Sequence, residues 1–144
     1  MTGSLSWFAW AMLSAVFAAL TAVFAKLGVQ AVDSDLATLI RTGVIICALA
    51  CFVWLTDKWR NPAELGSRTW LFLTLSGLAT GASWVCYFRA LKLGAASKVA
   101  PVDKFSVVLV AIFAYLFLAE RPSAREWLGI AMVGAGVVIL AMRR

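Results

Sequence analysis

The chain has 144 residues, of which 63% are hydrophobic and 14% are charged, and its mean hydropathy is +0.92. Soluble domains are about half apolar and about a quarter charged, so this chain has too little polar surface to cover a globule of its size. The composition excludes an ordinary soluble domain and predicts an all-α integral membrane protein. The net charge of +6 does not indicate nucleic-acid binding, because the basic residues flank apolar runs and can contact lipid headgroups there.

Five apolar runs follow one another along the chain. They cover about residues 5–25, 36–56, 70–89, 97–119 and 127–142, and charged or turn-forming residues separate them. The first run lacks the basic start of a signal peptide and is too long for one, so we expect it to be retained as a span. The fifth run is short, but Arg143 and Arg144 can reach the headgroups beside it. We therefore expect one transmembrane domain of five helices over residues 1–144.

Five spans would distribute tryptophans and charges toward opposite sides of the membrane. Most tryptophans fall on the side of the N-terminus, namely Trp7, Trp10, Trp54, Trp59, Trp70 and Trp127, whereas Trp84 falls toward the other side. Tryptophan prefers the interface, which supports the arrangement. The charged residues that enter the spans gather toward the second side: Lys26, Arg41, Arg89, Asp103 and Lys104. Such a cluster indicates either interfacial anchors or a polar cavity.

The third run carries a polar line and a small-residue face. Ser76, Thr80, Ser83 and Tyr87 recur at helical spacing, and Gly77 and Gly81 form a GxxxG motif on the neighbouring face. Lipid does not favour hydroxyl groups, so the polar line is expected to face protein or water. It fits either hydrogen bonds between helices or a cavity wall, in which Trp84 and Tyr87 would form an aromatic platform for a small organic solute.

The pair Asp103–Lys104 lies about 9 Å into the fourth run if a helix begins near Ser97. Pro101 would then lie in the first turn, where its missing N–H is tolerated. The pair is explained either by an acidic residue near a helix N-terminus with a lysine reaching the headgroups, or by a position in a cavity. Asp103 is expected to pair with Arg41 or Lys26, or to couple transport to protons.

Nothing in the sequence indicates catalysis or metal binding. The chain has no histidine, no glycine-rich phosphate loop and no nucleophile motif. Cys47, Cys51 and Cys86 are expected to be small buried apolar residues. Asp33 and Asp35 are expected to form a solvated turn. We therefore predict no enzyme activity, no cofactor and no metal.

Several segments resemble the EamA domain of the drug/metabolite transporter superfamily. They are FAKLGV at 24–29, LATLIRT at 36–42, WVCYFRAL at 84–91, SKVAPVDKFSVV at 97–108, FLAER at 117–121 and GIAMVGAG at 129–136. The segment 98–108 resembles short, single-domain members in particular. The resemblance implies that this chain is one half of an inverted-repeat transporter of ten helices. A half with an odd number of spans needs an oppositely oriented partner.

The resemblance implies a secondary transporter, an exporter of a small metabolite, amino acid or drug-like solute, in a bacterial inner membrane. The two sides carry similar numbers of basic residues, so we expect an antiparallel homodimer, or a heterodimer with a paralogue, that works by alternating access. The expected substrate-binding residues are Lys26, Arg41, Thr80, Ser83, Trp84, Tyr87, Asp103 and Lys104. Basic groups outnumber acids among them, which favours an anionic or zwitterionic solute. The alternative is a non-transporting membrane subunit or scaffold that packs with other spans.

Overall fold

A computed structural model describes residues 6–142, which form helices and loops without any strand. The helices are α1 (Trp7–Gly28), α2 (Ser34–Leu55), α3 (Ser67–Leu93), α4 (Ala96–Asp103), α5 (Ser106–Phe117) and α6 (Ala124–Met142), with a 3₁₀ turn at Pro62–Glu64. With α4 and α5 taken together as Ala96–Phe117, five helical segments of 19 to 27 residues are long and apolar enough to cross a membrane. The predicted all-α protein with five apolar helices is confirmed.

The last span is longer than the hydrophobic pattern predicts. It begins at Ala124 instead of 127, because Ser123 and Glu126 form a capping box. The Glu126 carboxylate accepts from the Ser123 backbone N–H at 2.6 Å and from its hydroxyl at 2.8 Å. Nineteen residues extend about 29 Å, which matches the hydrocarbon thickness of a bilayer. The expected support from Arg143 and Arg144 lies outside the described residues.

The fourth span is interrupted, although the sequence predicts a continuous helix. Pro101 lies inside α4 and not in its first turn, so the prediction for this residue is wrong. After Asp103 the backbone tightens: Lys104 N–H donates to the Pro101 carbonyl and Phe105 N–H to the Val102 carbonyl, each at 3.0 Å. These bonds reach back three residues and are typical of a 3₁₀ turn. Helix α5 then resumes at Ser106.

The chain divides into two compact units. The α2–α3 unit comprises Val23–Leu93, and the α4–α6 unit comprises the residues up to Ala22 together with those from Gly94 onward. The α2–α3 unit is packed at one end only. Val29 and Leu91 are fully buried and Phe88 is 3% exposed, whereas every residue of α3 from 67 to 83 is exposed. A Cβ atom placed on Gly77 or Gly81 would meet nothing within 4 Å, so the GxxxG face has no close neighbour in the described residues.

In the α4–α6 unit, helices α5 and α6 pack closely. Gly134 lies against α5, since a Cβ atom there would be 3.1 Å from Cγ2 of Val108. Ala114 of α5 and Val137 of α6 are also buried. The ring of Tyr115 meets that of Trp127 edge to face, with the centroids 6.5 Å apart.

The three cysteines are free and exposed in the described chain. The prediction that they are buried is therefore wrong. Cys47 and Cys51 lie on the half of α2 that contacts little else, and Cys86 lies on an outer face of α3. An exposed thiol on a membrane-spanning helix faces lipid or a second chain.

Candidate functional site

The site begins with the cap of α2. Asp33 is in an extended conformation, and its carboxylate accepts from the backbone N–H groups of Asp35 at 2.9 Å and Leu36 at 3.2 Å. An aspartate in this position binds backbone donors that have no partner within the helix and so fixes the start of the helix. The first turn of α2 therefore carries the Asp35 carboxylate at a defined place.

Asp35 forms a bidentate ion pair with Arg89 of α3. Arg89 Nε donates to Oδ1 at 3.0 Å, and its Nη2 donates to Oδ2 at 2.6 Å. Two parallel bonds fix the relative orientation of a guanidinium and a carboxylate more strictly than one does. The predicted solvated turn is therefore wrong for Asp35: its side chain remains about half exposed, but it connects α2 to the end of α3. A cleft of about 370 Å³ lies beside this pair.

Two lysines connect the same end of the unit through backbone carbonyls. Lys26 Nζ donates to the Leu91 carbonyl at 2.6 Å, and Lys92 Nζ donates to the Val32 carbonyl at 2.9 Å. The last carbonyls of a helix have no partner within it, and the helix dipole places negative charge there. Lys26 was predicted to bind solute, and in the structure it caps the C-terminal turn of α3. Its role in solute binding stays a prediction.

Arg41 of α2 lies over an aromatic surface on α3, further along α2 than Asp35. Its Cζ atom is 4.3 Å from the centroid of the Trp84 ring and 5.4 Å from that of Phe88. Both distances are within the range of a cation–π interaction. Phe88 is buried, whereas Arg41 and Trp84 are half-buried. Two of the predicted site residues, Arg41 and Trp84, are thus in contact.

The Arg41 charge is not neutralised by a carboxylate in the described part of the chain. The ion pairs Arg89–Asp35 and Lys104–Asp103 of the described residues do not include Arg41. Arg41 is seven residues into α2, which corresponds to about 10 Å along the helix axis. Aromatic faces stabilise the flat side of a guanidinium and leave the N–H groups at its edge able to donate. This arrangement can bind an anionic or carbonyl oxygen.

The other predicted site residues of α3 are Thr80, Ser83 and Tyr87, which lie on the same helix as Trp84. The ring of Tyr87 meets that of Phe88 at a centroid distance of 6.4 Å. Ser76, Thr80 and Ser83 of the polar line are exposed, whereas Tyr87 is half-buried. Thr80 Oγ1 donates to the Ser76 carbonyl of its own helix at 2.8 Å. A hydroxyl that donates to its own helix keeps its lone pairs available to another group. Within the described chain the polar line therefore faces outward from Ser76 to Ser83, and its place in a cavity stays a prediction.

Asp103 and Lys104 belong to the α4–α6 unit, at the interruption of the fourth span. Lys104 Nζ lies 3.4 Å from Asp103 Oδ2, and both side chains are partly exposed. The bend after Asp103 allows these adjacent side chains to meet, which a regular helix would direct about 100° apart. Pairing of Asp103 with Arg41 or Lys26 stays a prediction, as does its part in proton coupling.

Two residues of this site were missed in the sequence. Phe88 follows Trp84 by four residues, so the pattern on α3 contains the second ring of the aromatic surface. Asp35 was assigned to a turn because nothing local indicates its partner, which is 54 residues away.

Comparison with known proteins agrees with this architecture. The model of the EamA-like transporter family matches residues 5–142. The chain belongs to this family. It is 61% identical over 139 residues, which are 96% of this chain and 99% of the relative, to an uncharacterized transporter in the cobO 3′ region of a Sinorhizobium species. No solved structure shows a significant match.

Two further relatives of this EamA-like chain differ in length. An uncharacterized transporter YxxF of Bacillus subtilis is 24% identical over 136 residues, which are 94% of this chain and 42% of that relative. A probable 4-amino-4-deoxy-L-arabinose-phosphoundecaprenol flippase subunit ArnE of Yersinia pestis is 27% identical over 104 residues, 68% of this chain and 91% of the relative. Family and helices together identify this EamA-like chain as a multi-pass membrane transporter in contact with lipid.

Proposed function

We propose that this chain is a secondary transporter that binds the anionic group of a small solute at Arg41. The observation that carries the proposal is the guanidinium 4.3 Å above the Trp84 ring, with no carboxylate partner among residues 6–142. Ionisable residues within spans are costly in lipid and are found where they serve a pathway or a site. The aromatic surface offsets part of this cost without neutralising the charge.

The chemistry of the site favours an anionic or zwitterionic metabolite, an amino acid or a drug-like acid. Guanidinium edges bind carboxylate and phosphate groups by paired hydrogen bonds. Trp84 and Tyr87 provide apolar surface for the rest of the solute, and Thr80 and Ser83 provide hydroxyl acceptors on the same helix. Lys26, Asp103 and Lys104 complete the proposed set, and Asp103 is the candidate group for coupling to protons.

We infer that two chains assemble antiparallel into a ten-helix unit. The exposed stretch 67–83 of α3, with its uncovered Gly77 and Gly81, supports a partner helix, because small residues allow close approach between spans. The Bacillus relative, of which this chain matches 42%, is long enough for two such halves. Alternating access would then move one set of helices against the other, and we propose export across a bacterial inner membrane.

The transport hypothesis is tested with the purified chain alone in proteoliposomes. We expect counterflow of at least one member of a panel of radiolabelled amino acids and organic acids. Arg41→Ala should lower the rate about tenfold or more, because a charge-assisted hydrogen bond is lost. Arg41→Lys should be intermediate, since lysine keeps the charge but not the planar fork. Wild-type rates in Arg41→Ala would contradict the proposal.

A matched control is available on α3. The Arg68 guanidinium lies 5.9 Å from the Phe72 ring, but in the first turn of the helix and exposed. Arg68→Ala removes the same kind of contact outside the proposed site, so it should leave counterflow unchanged. An equal loss in Arg68→Ala and Arg41→Ala would indicate a general effect of charge on insertion or folding.

The antiparallel arrangement is tested by topology. Reporters fused to the C-terminus should be found on both sides of the membrane in similar amounts, and cysteines placed on the exposed face of α3 should crosslink two chains. A C-terminus found on one side only would exclude an antiparallel homodimer.

A second candidate is a membrane subunit that does not transport alone. The Yersinia relative supports it, since its name describes one subunit of a flippase for a phosphoundecaprenol-linked sugar. In that case Arg41 would bind the phosphate of a lipid-linked solute only in a complex with a paralogue. The purified chain alone would then give no counterflow, and activity would return when the paralogue is added.

A further inference from the structure

The α4–α6 unit contains a groove that the proposed transport site does not use. It encloses about 460 Å³ between α5 and α6, and its walls are mainly small or aliphatic residues such as Val107, Ala111, Ala114, Gly129 and Val133. Its two polar residues are Glu120 and Glu126. Small side chains on both facing helices leave the groove open.

The two carboxylates differ in whether they are already bound. Glu126 accepts from the backbone N–H and hydroxyl of Ser123, as part of the cap of α6. The carboxylate of Glu120 has no hydrogen bond or ion pair among residues 6–142. A free carboxylate at the end of an apolar groove attracts a cationic group.

The backbone holds Glu120 in this place at a conformational cost. Ala119 has a φ of 54°, a left-handed conformation that favours glycine. The Glu120 N–H then donates to the Ala114 carbonyl at 3.3 Å, closing the end of α5. Donor and acceptor are six positions apart, one more than in the Schellman motif, so the bond closes a slightly wider turn. Strained backbone next to a groove-lining charge supports a binding function for that charge.

The position of the groove fits one leaflet of a bilayer. From Val107 to Phe117, where α5 ends, the helix rises about 15 Å, which is half the hydrocarbon thickness. Glu120 follows the end of α5, and the contacting rings of Tyr115 and Trp127 are typical of the interface. The apolar walls are therefore at the depth of an acyl chain and the carboxylate at the depth of a headgroup.

We propose that this groove binds a phospholipid with a primary ammonium headgroup, such as phosphatidylethanolamine. The ammonium would donate to the Glu120 carboxylate, and one acyl chain would lie along Ala111 and Ala114. Arg121 follows Glu120 in the chain, outside the groove lining, and would pair with the lipid phosphate at the headgroup. Charge complementarity distinguishes this occupant from an anionic lipid, and hydrogen-bond donation distinguishes it from a choline lipid, whose ammonium carries only methyl groups.

The test measures lipid retained by the full chain. Protein reconstituted in equimolar phosphatidylethanolamine, phosphatidylcholine and phosphatidylglycerol is extracted and its bound lipids are quantified by native mass spectrometry. We expect phosphatidylethanolamine to be enriched about threefold, the size of an exposed ion pair. Glu120→Gln should bring the three lipids to near equality, while Glu64→Gln, at an exposed carboxylate of the 3₁₀ turn, should keep the enrichment.

A second variant tests the groove itself. Ala111→Leu should reduce retention of all three lipids, with the helix content checked by circular dichroism. Equal retention of the three lipids by the wild-type protein would overturn the proposal, and so would an equal effect of Glu64→Gln and Glu120→Gln. Efficient crosslinking of two copies through a cysteine at position 111 would also overturn it, because a second copy would then occupy the groove.

Discussion

Gly134 offers a quantitative test of the packing between α5 and α6. Glycine within a helix is about 1 kcal/mol less favourable than alanine, so Gly→Ala normally stabilises. At Gly134 the new methyl would lie 3.1 Å from Val108 Cγ2, whereas carbon atoms prefer about 3.5–4.0 Å. One of the two groups must move, and overpacking of this kind costs about 1–3 kcal/mol. We expect Gly134→Ala to leave the free energy of unfolding unchanged or to lower it by up to about 2 kcal/mol.

Gly136 is the matched control, since it lies on the same helix and an added Cβ atom would meet nothing within 4 Å. Gly136→Ala should raise the free energy of unfolding by about 1 kcal/mol. The assay is reversible unfolding in mixed detergent micelles. The double variant Gly134→Ala/Val108→Ala should show a favourable coupling of about 1 kcal/mol, because truncating Val108 removes the clash. The reasoning is refuted if Gly134→Ala stabilises as much as Gly136→Ala, or if the coupling is zero.

Two further predictions concern the ends of helices. Reversing the charge of one partner of the Asp35–Arg89 ion pair, by Asp35→Arg or Arg89→Asp, should slow counterflow. The double variant Asp35→Arg/Arg89→Asp should restore it. If the double variant does not recover counterflow, the pair does more than join α2 to α3. Ala119→Gly should raise the free energy of unfolding by about 1 kcal/mol at most, because glycine adopts a φ of 54° without strain. Asp57 also has a left-handed φ, of 51°, but aspartate tolerates this region better than alanine, so Asp57→Gly should increase the free energy of unfolding less. Equal increases in the two variants would contradict the argument.

The five spans could be predicted because long apolar runs are a strong pattern, whereas their ends depend on local chemistry. Ser123 and Glu126 have the spacing of a capping box, so the true start of α6 could be found in the sequence. The interruption after Asp103 is harder to predict. Pro101 marks a weak point in the helix, but proline is tolerated within many membrane spans, and the position of the bend depends on the packing of its neighbours.

The site was predictable as a set of unusual residues, and its geometry was not. A charged residue and a tryptophan inside spans both stand out in an apolar sequence, which is why Arg41 and Trp84 were predicted. The contacts of Asp35 with Arg89 and of Lys26 with Leu91 join residues that are 54 and 65 positions apart. Hydropathy and spacing along one helix contain no information on such pairs, because they depend on which faces of two helices meet.

Within the α2–α3 unit, one part of the proposed site is formed by contacts within a single chain, and another part is left uncovered by that chain. Arg41, Trp84 and Phe88 meet within the unit, where Asp35 and Lys26 hold α3 against the rest. The polar-line residues Ser76, Thr80 and Ser83 and the GxxxG face occupy the stretch 67–83, where every residue is exposed. Hydroxyls and glycines exposed along a membrane span are best accommodated by a second protein surface. Substitutions at Arg41 should therefore act on solute binding whatever the assembly, whereas substitutions at Ser83 or Gly81 should act through the partner chain.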